Sequence, residues 1–404
     1  MPRLFPFRGL VFDTAVTGSL DRVTAPPYDV ISDRLRLGYL QASPFSVVHL
    51  DLAEGSDDPR DPASRYAKAA DLLADWERRG AVRRAGEPCY YAYEMTPSLK
   101  GTSSVRGLIC AMELEEWGGT VLPHEQVMEG PIRDRLELLR ATRTHLSPVF
   151  GTIDGPDDRL GDRIGAATTD RTTFEATDEQ GVLHRMWPMP NDAVDLAHLA
   201  DRPLLIADGH HRYATALAYR NERRRADGPG PWDSVLTLVV DATAEHLPVL
   251  PFHRLQLAGP VRAAIGSPTS SLEETLDALD DERCTVGIAA VGPAGDITYR
   301  VRSLDGEAPA VRALHETVLD EIAPTGSLRY VHDADTAVAA LRDGDAVAAY
   351  LLPATTARRI RAVVERGERL PPKSTYFWPK PRTGMVMMPL DRGPAPPKVR
   401  ARAS

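Results

Sequence analysis

The stretch LLIADGHHRYATA, residues 204–216, carries the densest set of chemically capable side chains in the sequence. Its first four residues are apolar and predict a buried strand, Asp208-Gly209 predicts a turn, and a helix is expected from Arg212 to about Glu222. The free N–H groups and positive dipole end of such a helix would meet the Arg212 guanidinium at the junction. That arrangement favours a phosphate or another anion, with Gly209 allowing close approach to the backbone.

Two adjacent histidines, His210 and His211, follow the glycine, and spacing alone leaves their role open. Either ring could donate to a phosphate or carry a proton near neutral pH. In one alternative, Asp208 caps the helix and the histidines are packing or surface residues. In another, Asp208 and one histidine bind a metal, since neighbouring side chains on a helix diverge by ~100° and two adjacent histidines do not suit one ion.

Two loops offer further candidate groups. APPYDVIS, residues 25–32, has two prolines that fix an extended backbone, so Tyr28 and Asp29 could form a rigid pocket edge that reaches substrate or metal. The alternative is a plain turn before a helix capped by Ser32. PHEQ contains Glu125, which could act as general base for a hydroxyl acceptor or could simply favour the next helix start. Its spacing is not that of a zinc protease.

The segment GERLPPKS, residues 367–374, resembles a phosphate-binding P-loop in spacing but fails as one. The motif requires a second glycine, and Pro372 stands at that position, where it can neither donate an N–H nor adopt the required φ. The segment is also predicted to follow a helix, whereas a P-loop follows a strand.

What remains of this segment is a cationic, hydroxyl-rich loop. Lys373, Ser374 and Thr375 lie on a rigid Pro-Pro turn, and Lys380 and Arg382 follow a few residues later. Such a loop could close over phosphates; the alternative is a solvated loop packed down by the three aromatic residues of YFW. Both predict an ordered segment.

The elements around these residues predict a mixed α+β fold. Residues 62–80 have the periodicity of an amphipathic helix, CYYAYEM and SVRGLICAMEL predict a hairpin, and Ser46–Leu50 predicts a strand. Residues 154–173 are polar and weakly patterned, which predicts a seam or exposed excursion. Hairpins and helices interleave without strict βαβ alternation, so mixed sheets with packed helices are favoured over a doubly wound sheet.

The interleaving also suggests how the chain divides. We expect an α/β core at residues 1–255 that carries the DGHHR site, an α+β region at 256–390 and a disordered tail at 391–404, which is rich in Pro and basic residues.

Composition narrows the classes of function. The 404 residues carry 48 basic and 57 acidic side chains, a net charge of -9, which argues against a nucleic-acid partner. Apolar runs are too short for a membrane span, and the N-terminus lacks the pattern of a signal peptide. Three scattered cysteines, Cys89, Cys110 and Cys284, predict reduced thiols in a cytoplasmic protein.

Two resemblances extend these inferences. GHHRYATAL resembles the phosphate-binding box of the ParB/sulfiredoxin superfamily, and DGHHR is similar to the form found in archaeal free-serine kinases. PFRGL, APPYDVI, VVHLDL, HLSPVF, HRMWPM, IADGHHRYATALAY, YVHD and LPPKSTYFWPKPRTG resemble, in the same order, the family called domain of unknown function 1015. The first resemblance implies a nucleotide-binding core and phosphoryl transfer to a small acceptor.

The sequence therefore predicts a kinase that uses ATP or ADP (or CTP) and Mg²⁺, with a small hydroxy acid, free serine by analogy, as acceptor, and a possible homodimer. The residues assigned to the phosphates are Gly209, His210, His211, Arg212, Lys373, Ser374 and Thr375. Those assigned to catalysis are Glu125 (the base), Asp208 and His210, those assigned to substrate are Tyr28 and Asp29, and Asp208 or Asp29 is assigned to the metal. Two rivals stay open: a ParB-type nucleotide switch, and a protein that binds an anionic metabolite or metal without kinase activity.

Overall fold

The fold is seen in a computed structural model. It describes residues 2–55, 64–98, 103–155, 157–169, 174–191, 196–199, 202–242, 247, 249–261, 265–292, 294–304, 309–323 and 326–391. The predicted tail lies outside these residues, except for Asp391. The predicted α+β class is confirmed: mixed sheets, hairpins and packed helices make up the fold.

Most strands are short, and the long ones belong to two sheets. In chain order the strands are β1 (Leu4–Phe5), β2 (Leu10–Phe12), β3 (Val82–Arg84), β4 (Cys89–Thr96), β5 (Val105–Glu113), β6 (Val121–Leu122), β7 (Thr144–His145), β8 (Val149–Asp154), β9 (Phe174–Thr177), β10 (Leu183–Pro190), β11 (Leu204–Asp208), β12 (Ser234–Ala242), β13 (Val249–Leu250), β14 (His253–Gln256), β15 (Ser267–Thr269), β16 (Thr285–Val291), β17 (Ile297–Ser303), β18 (Leu328–Val331), β19 (Ala348–Leu351), β20 (Tyr376–Phe377) and β21 (Met388–Pro389).

The helices vary from one turn to five. In chain order they are α1 (Thr14–Thr17), α2 (Asp33–Ala42), α3 (Val48–Asp51), α4 (Ser64–Arg78), α5 (Glu129–Thr142), α6 (Asp158–Thr168), α7 (His210–Asp227), α8 (Leu272–Asp277), α9 (Ala310–Leu314), α10 (Asp320–Ile322), α11 (Ala334–Arg342) and α12 (Ala357–Glu365). A π-helical turn, His315–Leu319, joins α9 to α10. Within the described ranges, no helix has both the length and the apolar character needed to cross a membrane.

A nine-stranded mixed sheet positions the DGHHR segment. Its order is β6-β11-β8-β12-β5-β4-β10-β9, with β1 added to β5. Strand β11 runs parallel to β6 and antiparallel to β8, and Leu204, Leu205 and Ile206 are fully buried in it. The register with β8 shifts between Ile206 and Asp208. Such an irregularity redirects the side chains that follow it, here the first polar residue of the motif.

A second, six-stranded sheet has the order β15-β17-β16-β19-β14-β18. After it, the chain returns to the first region: β20 pairs with β13, β21 pairs with β7, and Thr383 pairs with Ala25. The proposed division near residue 255 stays a prediction. Wherever the division lies, these strand pairs join the segment after residue 370 to the part of the chain that carries the DGHHR site.

Several local predictions can be compared with these elements. The helix at 62–80 is confirmed as α4, and the hairpin as the antiparallel pair of β4 and β5. The strand predicted at Ser46–Leu50 is wrong, because these residues lead into helix α3; a short apolar run does not distinguish strand from helix. The polar stretch 154–173 contains helix α6, which buries Leu160 and Ile164 one turn apart.

Candidate active site

The junction between β11 and α7 forms one wall of a polar cleft. Gly209 is the N-cap of α7 with φ +94°, in the left-handed region, and the helix starts at His210 and ends at Asp227. A Cβ at Gly209 would lie 3.0 Å from the guanidinium carbon of Arg212. The backbone angle therefore favours glycine here, and a larger residue would also press against the Arg212 side chain. The predicted turn is confirmed, and the helix begins two residues before the predicted start.

Asp208 does not cap this helix, so that part of the alternative is wrong, whereas His210 is buried as a packing residue would be. The N-cap of α7 makes no side-chain hydrogen bond. Instead, one carboxylate oxygen of Asp208 pairs with the Arg212 guanidinium, and the other lies 2.5 Å from Lys380 Nζ. Asp208 is held between two cations, directly in front of a helix N-terminus.

A second carboxylate–lysine pair lies across the cleft. Lys373 Nζ is 2.9 Å from Asp29 Oδ2. Burial raises the pKa of Asp29, but the charges of Lys380 and Lys373 outweigh it and hold the pKa well below its ordinary value. Burial lowers the pKa of Lys380, and the carboxylates of Asp208 and Asp29 outweigh that effect and raise it. Three cationic side chains thus face the carboxylates of Asp29 and Asp208, and the carboxylate of Glu125 lies in the same cleft. The N–H groups at the start of α7 add the positive end of its dipole, so this end of the cleft suits an additional anion.

The two histidines of the motif hold the PHEQ loop against α7. His210 Nε2 accepts a hydrogen bond from the backbone N–H of His124 at 3.3 Å, and His211 Nε2 accepts one from Met128 N–H at 3.0 Å. Burial lowers the pKa of both rings, that of His210 strongly. They are therefore neutral at neutral pH, and each ring keeps Nδ1–H as the donor it could offer to a ligand.

The metal alternative for the histidines gains no support from this geometry. In each ring the Nε2 lone pair already accepts a backbone N–H. Among the described residues, no group of three or more His, Cys, Asp or Glu side chains is arranged to hold a metal ion.

His124 links this first wall to the opposite one, residues 370–380, which we call the second wall. Its Nδ1 is 2.7 Å from the carbonyl oxygen of Ile206 in β11, and its Nε2 is 2.7 Å from Thr375 Oγ1. Burial lowers its pKa to about 4, so the ring stays neutral and makes both bonds. Because this hydroxyl is engaged by His124, Thr375 lines the cleft as a structural contact.

Glu125 lies where the PHEQ loop meets the second wall. Its Oε1 accepts the Lys373 backbone N–H at 2.9 Å, and the His124 carbonyl accepts Leu370 N–H at 2.8 Å. Burial raises the pKa of Glu125, although the Lys373 N–H and charge oppose the shift. A carboxylate with a raised pKa at the edge of an anion site has the character of a general base.

A buried arginine that the sequence did not single out holds the second wall in place through hydrogen bonds to its backbone. Arg254, in β14, is 0% exposed and donates to the carbonyls of Lys373 at 2.8 Å and Pro372 at 3.3 Å. Burial lowers its pKa to about 10, which still leaves it charged. Ser374 is buried and donates to the Pro371 carbonyl at 2.5 Å. No local pattern marks Arg254, because its role depends on strand pairing far along the chain.

Tyr28 and Asp29 lie in a 3₁₀ turn at Tyr28–Val30, and Ser32 caps α2. The interpretation as a turn before a capped helix is therefore confirmed, and the same turn also places both side chains in the cleft. The Tyr28 ring packs against the Arg135 guanidinium, whose carbon is 4.4 Å from the ring centre.

The structure brings together all the residues predicted for the site except Ser374. The cleft is lined by Tyr28, Asp29, Glu125, Ala207, Asp208, Gly209, His210, His211, Arg212, Phe252, Lys373, Thr375 and Lys380. Ser374 lies beneath the loop. Phe252 is an addition, and Lys380, noted in sequence only as a cation beyond the loop, contributes directly to the cleft.

Comparisons with known proteins add the following. A family model described as "Protein of unknown function (DUF1015)" matches residues 4–278. A search of the curated proteins finds no match.

Among solved structures, a free serine kinase in complex with AMP is similar at 15% identity and TM-score 0.37, over 70% of this chain and 91% of that chain. A conserved hypothetical protein from Pyrococcus furiosus is similar at 17% identity and TM-score 0.35, over 70% and 92%. SbnI from Staphylococcus aureus, with a C-terminal truncation, is similar at 12% identity and TM-score 0.35, over 67% and 82%.

Proposed function

This chain belongs to the DUF1015 family of proteins of unknown function, and we propose that it is a nucleotide-dependent kinase that phosphorylates a small hydroxy acid. One observation carries the proposal: Arg212, Lys373 and Lys380 converge on the N-terminus of α7, with the carboxylate of Glu125 beside them. Phosphoryl transfer needs this combination, since it depends on positioning the phosphates and neutralising charge in the transition state.

The proposed phosphate-binding site is the first turn of α7. Gly209 allows close approach, and the helix dipole favours negative charge. Arg212 and Lys380 both pair with Asp208, so a phosphate at this position competes with the Asp208 carboxylate for them. Lys373 reaches the same cleft from the opposite wall. We assign these three cations to the nucleotide phosphates.

Glu125 is the proposed base. It would take the proton from the acceptor hydroxyl as that oxygen bonds to the terminal phosphorus of the nucleotide. The bond between this phosphorus and its bridging oxygen breaks, and the shortened nucleotide leaves: ADP from ATP, or AMP from ADP. Burial raises the pKa of Glu125 toward the working pH, which makes it a better proton acceptor than an ordinary glutamate.

Mg²⁺ fits the donor set through Asp29 better than through Asp208. This ion commonly uses one or two carboxylates together with phosphate oxygens, and when bound it would neutralise phosphate charge. Both oxygens of Asp208 are occupied by Arg212 and Lys380, whereas Asp29 is paired through Oδ2 with Lys373. Of the two carboxylates considered in the sequence, Asp29 is therefore the one we propose for the metal.

The test has two stages. Calorimetry with ATP, ADP and CTP, each with and without Mg²⁺, is expected to show binding of at least one nucleotide. The binding-competent mixture is then incubated with L-serine, glycerate or lactate and followed by phosphorus NMR, where a phosphate-ester signal is expected. Absence of nucleotide binding at millimolar concentration overturns the proposal. Binding without any phosphorylated acceptor would favour the ParB-type switch instead.

A further inference from the structure

The backbone around Lys380 is fixed by side chains that lie outside the cleft. Lys380 Nζ reaches Asp208 in the cleft at 2.5 Å, and only 7% of the lysine side chain is exposed. Arg382, two residues later, does not line the cleft, although the sequence groups both residues as cations of one loop. Its side chain is buried and makes contacts that hold the backbone that carries Lys380.

The Arg382 side chain joins this backbone to residues 24–26. Its Nε donates to Thr24 Oγ1 at 2.7 Å, and its Nη2 donates to the Thr24 carbonyl oxygen at 2.8 Å. The neighbouring backbones of Ala25 and Thr383 also pair with each other. Arg382 is therefore anchored at its side chain, so that its backbone N–H keeps a fixed position.

A buried row of hydrogen bonds receives that N–H. The Tyr93 hydroxyl, in β4, accepts the Arg382 N–H at 3.2 Å and donates to His184 Nδ1, in β10, at 2.9 Å. His184 Nε2 in turn donates to Asp178 Oδ2 at 3.2 Å. Burial lowers the pKa of His184, so the ring is neutral and holds one proton, which the Asp178 carboxylate assigns to Nε2. The Tyr93 hydroxyl is therefore both donor and acceptor in a row that runs from Asp178 to the Arg382 backbone.

The turn between β9 and β10 adds contacts at the surface. Gln180 Oε1 accepts the Trp378 Nε1–H at 2.9 Å, and Glu179 Oε2 lies 3.4 Å from Arg382 Nη1. The backbone that carries Lys380 is thus held on both sides by groups that do not line the cleft. Because the hydrogen bonds of the buried row are shielded from water, water cannot easily replace one of them that is lost.

We propose that Tyr93 is a positioning residue for nucleotide binding: by accepting the Arg382 N–H, it holds Lys380 where its ammonium group can contact a phosphate. This assignment rests on the proposed kinase function, because it takes Lys380 as a phosphate ligand. Tyr93 itself does not line the cleft, so it acts through the backbone. Such support matters, because a displacement of about 1 Å in an active site can cost on the order of 10²-fold in rate.

Tyr93→Phe removes the hydroxyl and keeps the ring, so it tests this role directly. Calorimetry with the nucleotide that binds the wild-type protein most tightly (ATP, ADP or CTP) should show about a three- to tenfold loss of affinity, the size expected for one hydrogen bond. Hydrogen exchange of the Arg382 amide should become faster, because its acceptor is lost, and exchange in residues 204–213 should stay unchanged. Tyr91→Phe is the matched control, since Tyr91 is a second buried tyrosine of β4 whose hydroxyl takes no part in the row; its nucleotide affinity should change less than twofold.

A double-mutant cycle separates positioning from a general loss of stability. Lys380→Met removes the ammonium group and keeps an apolar stem. If Tyr93 acts through Lys380, Tyr93→Phe should change nucleotide affinity less than twofold in the Lys380→Met background. Circular dichroism checks the fold of each variant. If Lys380→Met is unfolded, salt dependence provides the second test: the affinity of Tyr93→Phe should fall less steeply with NaCl than that of Tyr91→Phe, because one cation contacts the phosphates less.

Four results overturn the assignment: unchanged nucleotide affinity in Tyr93→Phe, an equal loss in Tyr91→Phe, an equal loss with and without the Lys380 ammonium group, or equal salt dependence in the two tyrosine variants. Failure of the kinase proposal looks different, because no nucleotide then binds to the wild-type protein. The role of Tyr93 toward phosphate falls with it, and faster exchange of the Arg382 amide in Tyr93→Phe would then show a structural role alone.

Discussion

The two walls of the cleft face each other but are built differently. The first wall, residues 204–213, is continuous in sequence: a buried strand, one glycine at positive φ and a helix start. The second wall, residues 370–380, has almost no regular structure, and its shape depends on Arg254, His124 and Glu125 from other parts of the chain. The backbone fixes the first wall, whereas distant side chains hold the second.

This difference determines what each wall can contribute. A helix terminus presents its N–H groups at fixed positions and needs no rearrangement to receive an anion. Lys373 and Lys380 reach across on long side chains and pair with Asp29 and Asp208. They can exchange a carboxylate for a phosphate with small movements. The first wall is thus suited to recognising an anion, and the second to adapting its charges around a bound anion.

The largest expected effect concerns the residue where the walls meet. Glu125→Gln should lower kcat by about 10²–10⁴-fold, because the base is lost, while nucleotide affinity changes little. The raised pKa of Glu125 predicts that wild-type kcat falls on acidification with its midpoint above pH 4.5, since the base must be ionised. Rate measurements across pH check both points. An acid limb that persists in Glu125→Gln would assign it to another group.

The next effect tests the first wall. Arg212→Ala should weaken nucleotide binding by about 10–100-fold, as expected for loss of a charged hydrogen bond to phosphate. Calorimetry measures this, with circular dichroism to confirm folding, because Arg212 also pairs with Asp208. Arg225→Ala, an exposed arginine on the same helix, is the control and should bind normally. Equal nucleotide affinity in both variants would show that the phosphates bind elsewhere.

A smaller effect on nucleotide affinity is expected when the hydrogen bonds from Arg254 to the second wall are removed. Arg254→Met removes the donors to the Pro372 and Lys373 carbonyls but keeps an apolar stem in the buried position. We expect about a three- to tenfold loss of nucleotide affinity, because each hydrogen bond contributes roughly 0.5–1.5 kcal/mol to the order of the loop and only part of this energy reaches the nucleotide. Hydrogen exchange should become faster in residues 370–380 and stay unchanged in 204–213. Faster exchange in both walls would mean that they are not independent.

The smallest effect is expected for Ser374→Ala. The hydroxyl of Ser374 donates to the Pro371 carbonyl and lies under the loop, so nucleotide affinity should change less than twofold. Calorimetry against the wild-type protein checks this. A loss of tenfold or more would restore Ser374 as a phosphate contact. Residues 370–380 would then have to rearrange on nucleotide binding so that Ser374 faces the cleft.

The difference between the two walls also explains which parts of the site could be predicted from the sequence. The strand, the glycine turn and the helix of the first wall were predicted correctly, because each depends on residues that are neighbours in the sequence. The alternative in which Asp208 caps α7 is wrong, because Asp208 is held by Arg212 and by Lys380, which is distant in sequence. Pro372 correctly excluded a P-loop, but the anchoring by Arg254 depends on the pairing of β14 with β18 and β19.

The contact between Asp51 and Arg135 was missed for a related reason. The short apolar run at Ser46–Leu50 predicts a strand, and that assignment gave no reason to consider the acidic residue that follows. In the structure this run enters α3, whose last residue, Asp51, meets Arg135 of α5. An aspartate and an arginine so far apart in sequence carry no local signal of their contact.

The position of the second wall near the C-terminal end has a consequence for protein synthesis. Every strand of the nine-stranded sheet and the start of α7 have been translated by residue 242, but Lys373 and Lys380 emerge from the ribosome much later. Domains generally fold as units, N-terminal ones first, during synthesis. An unfinished chain can therefore hold a folded first wall while lacking the lysines of the second. If the proposed kinase function holds, we expect chains that terminate before Lys373 to phosphorylate no acceptor.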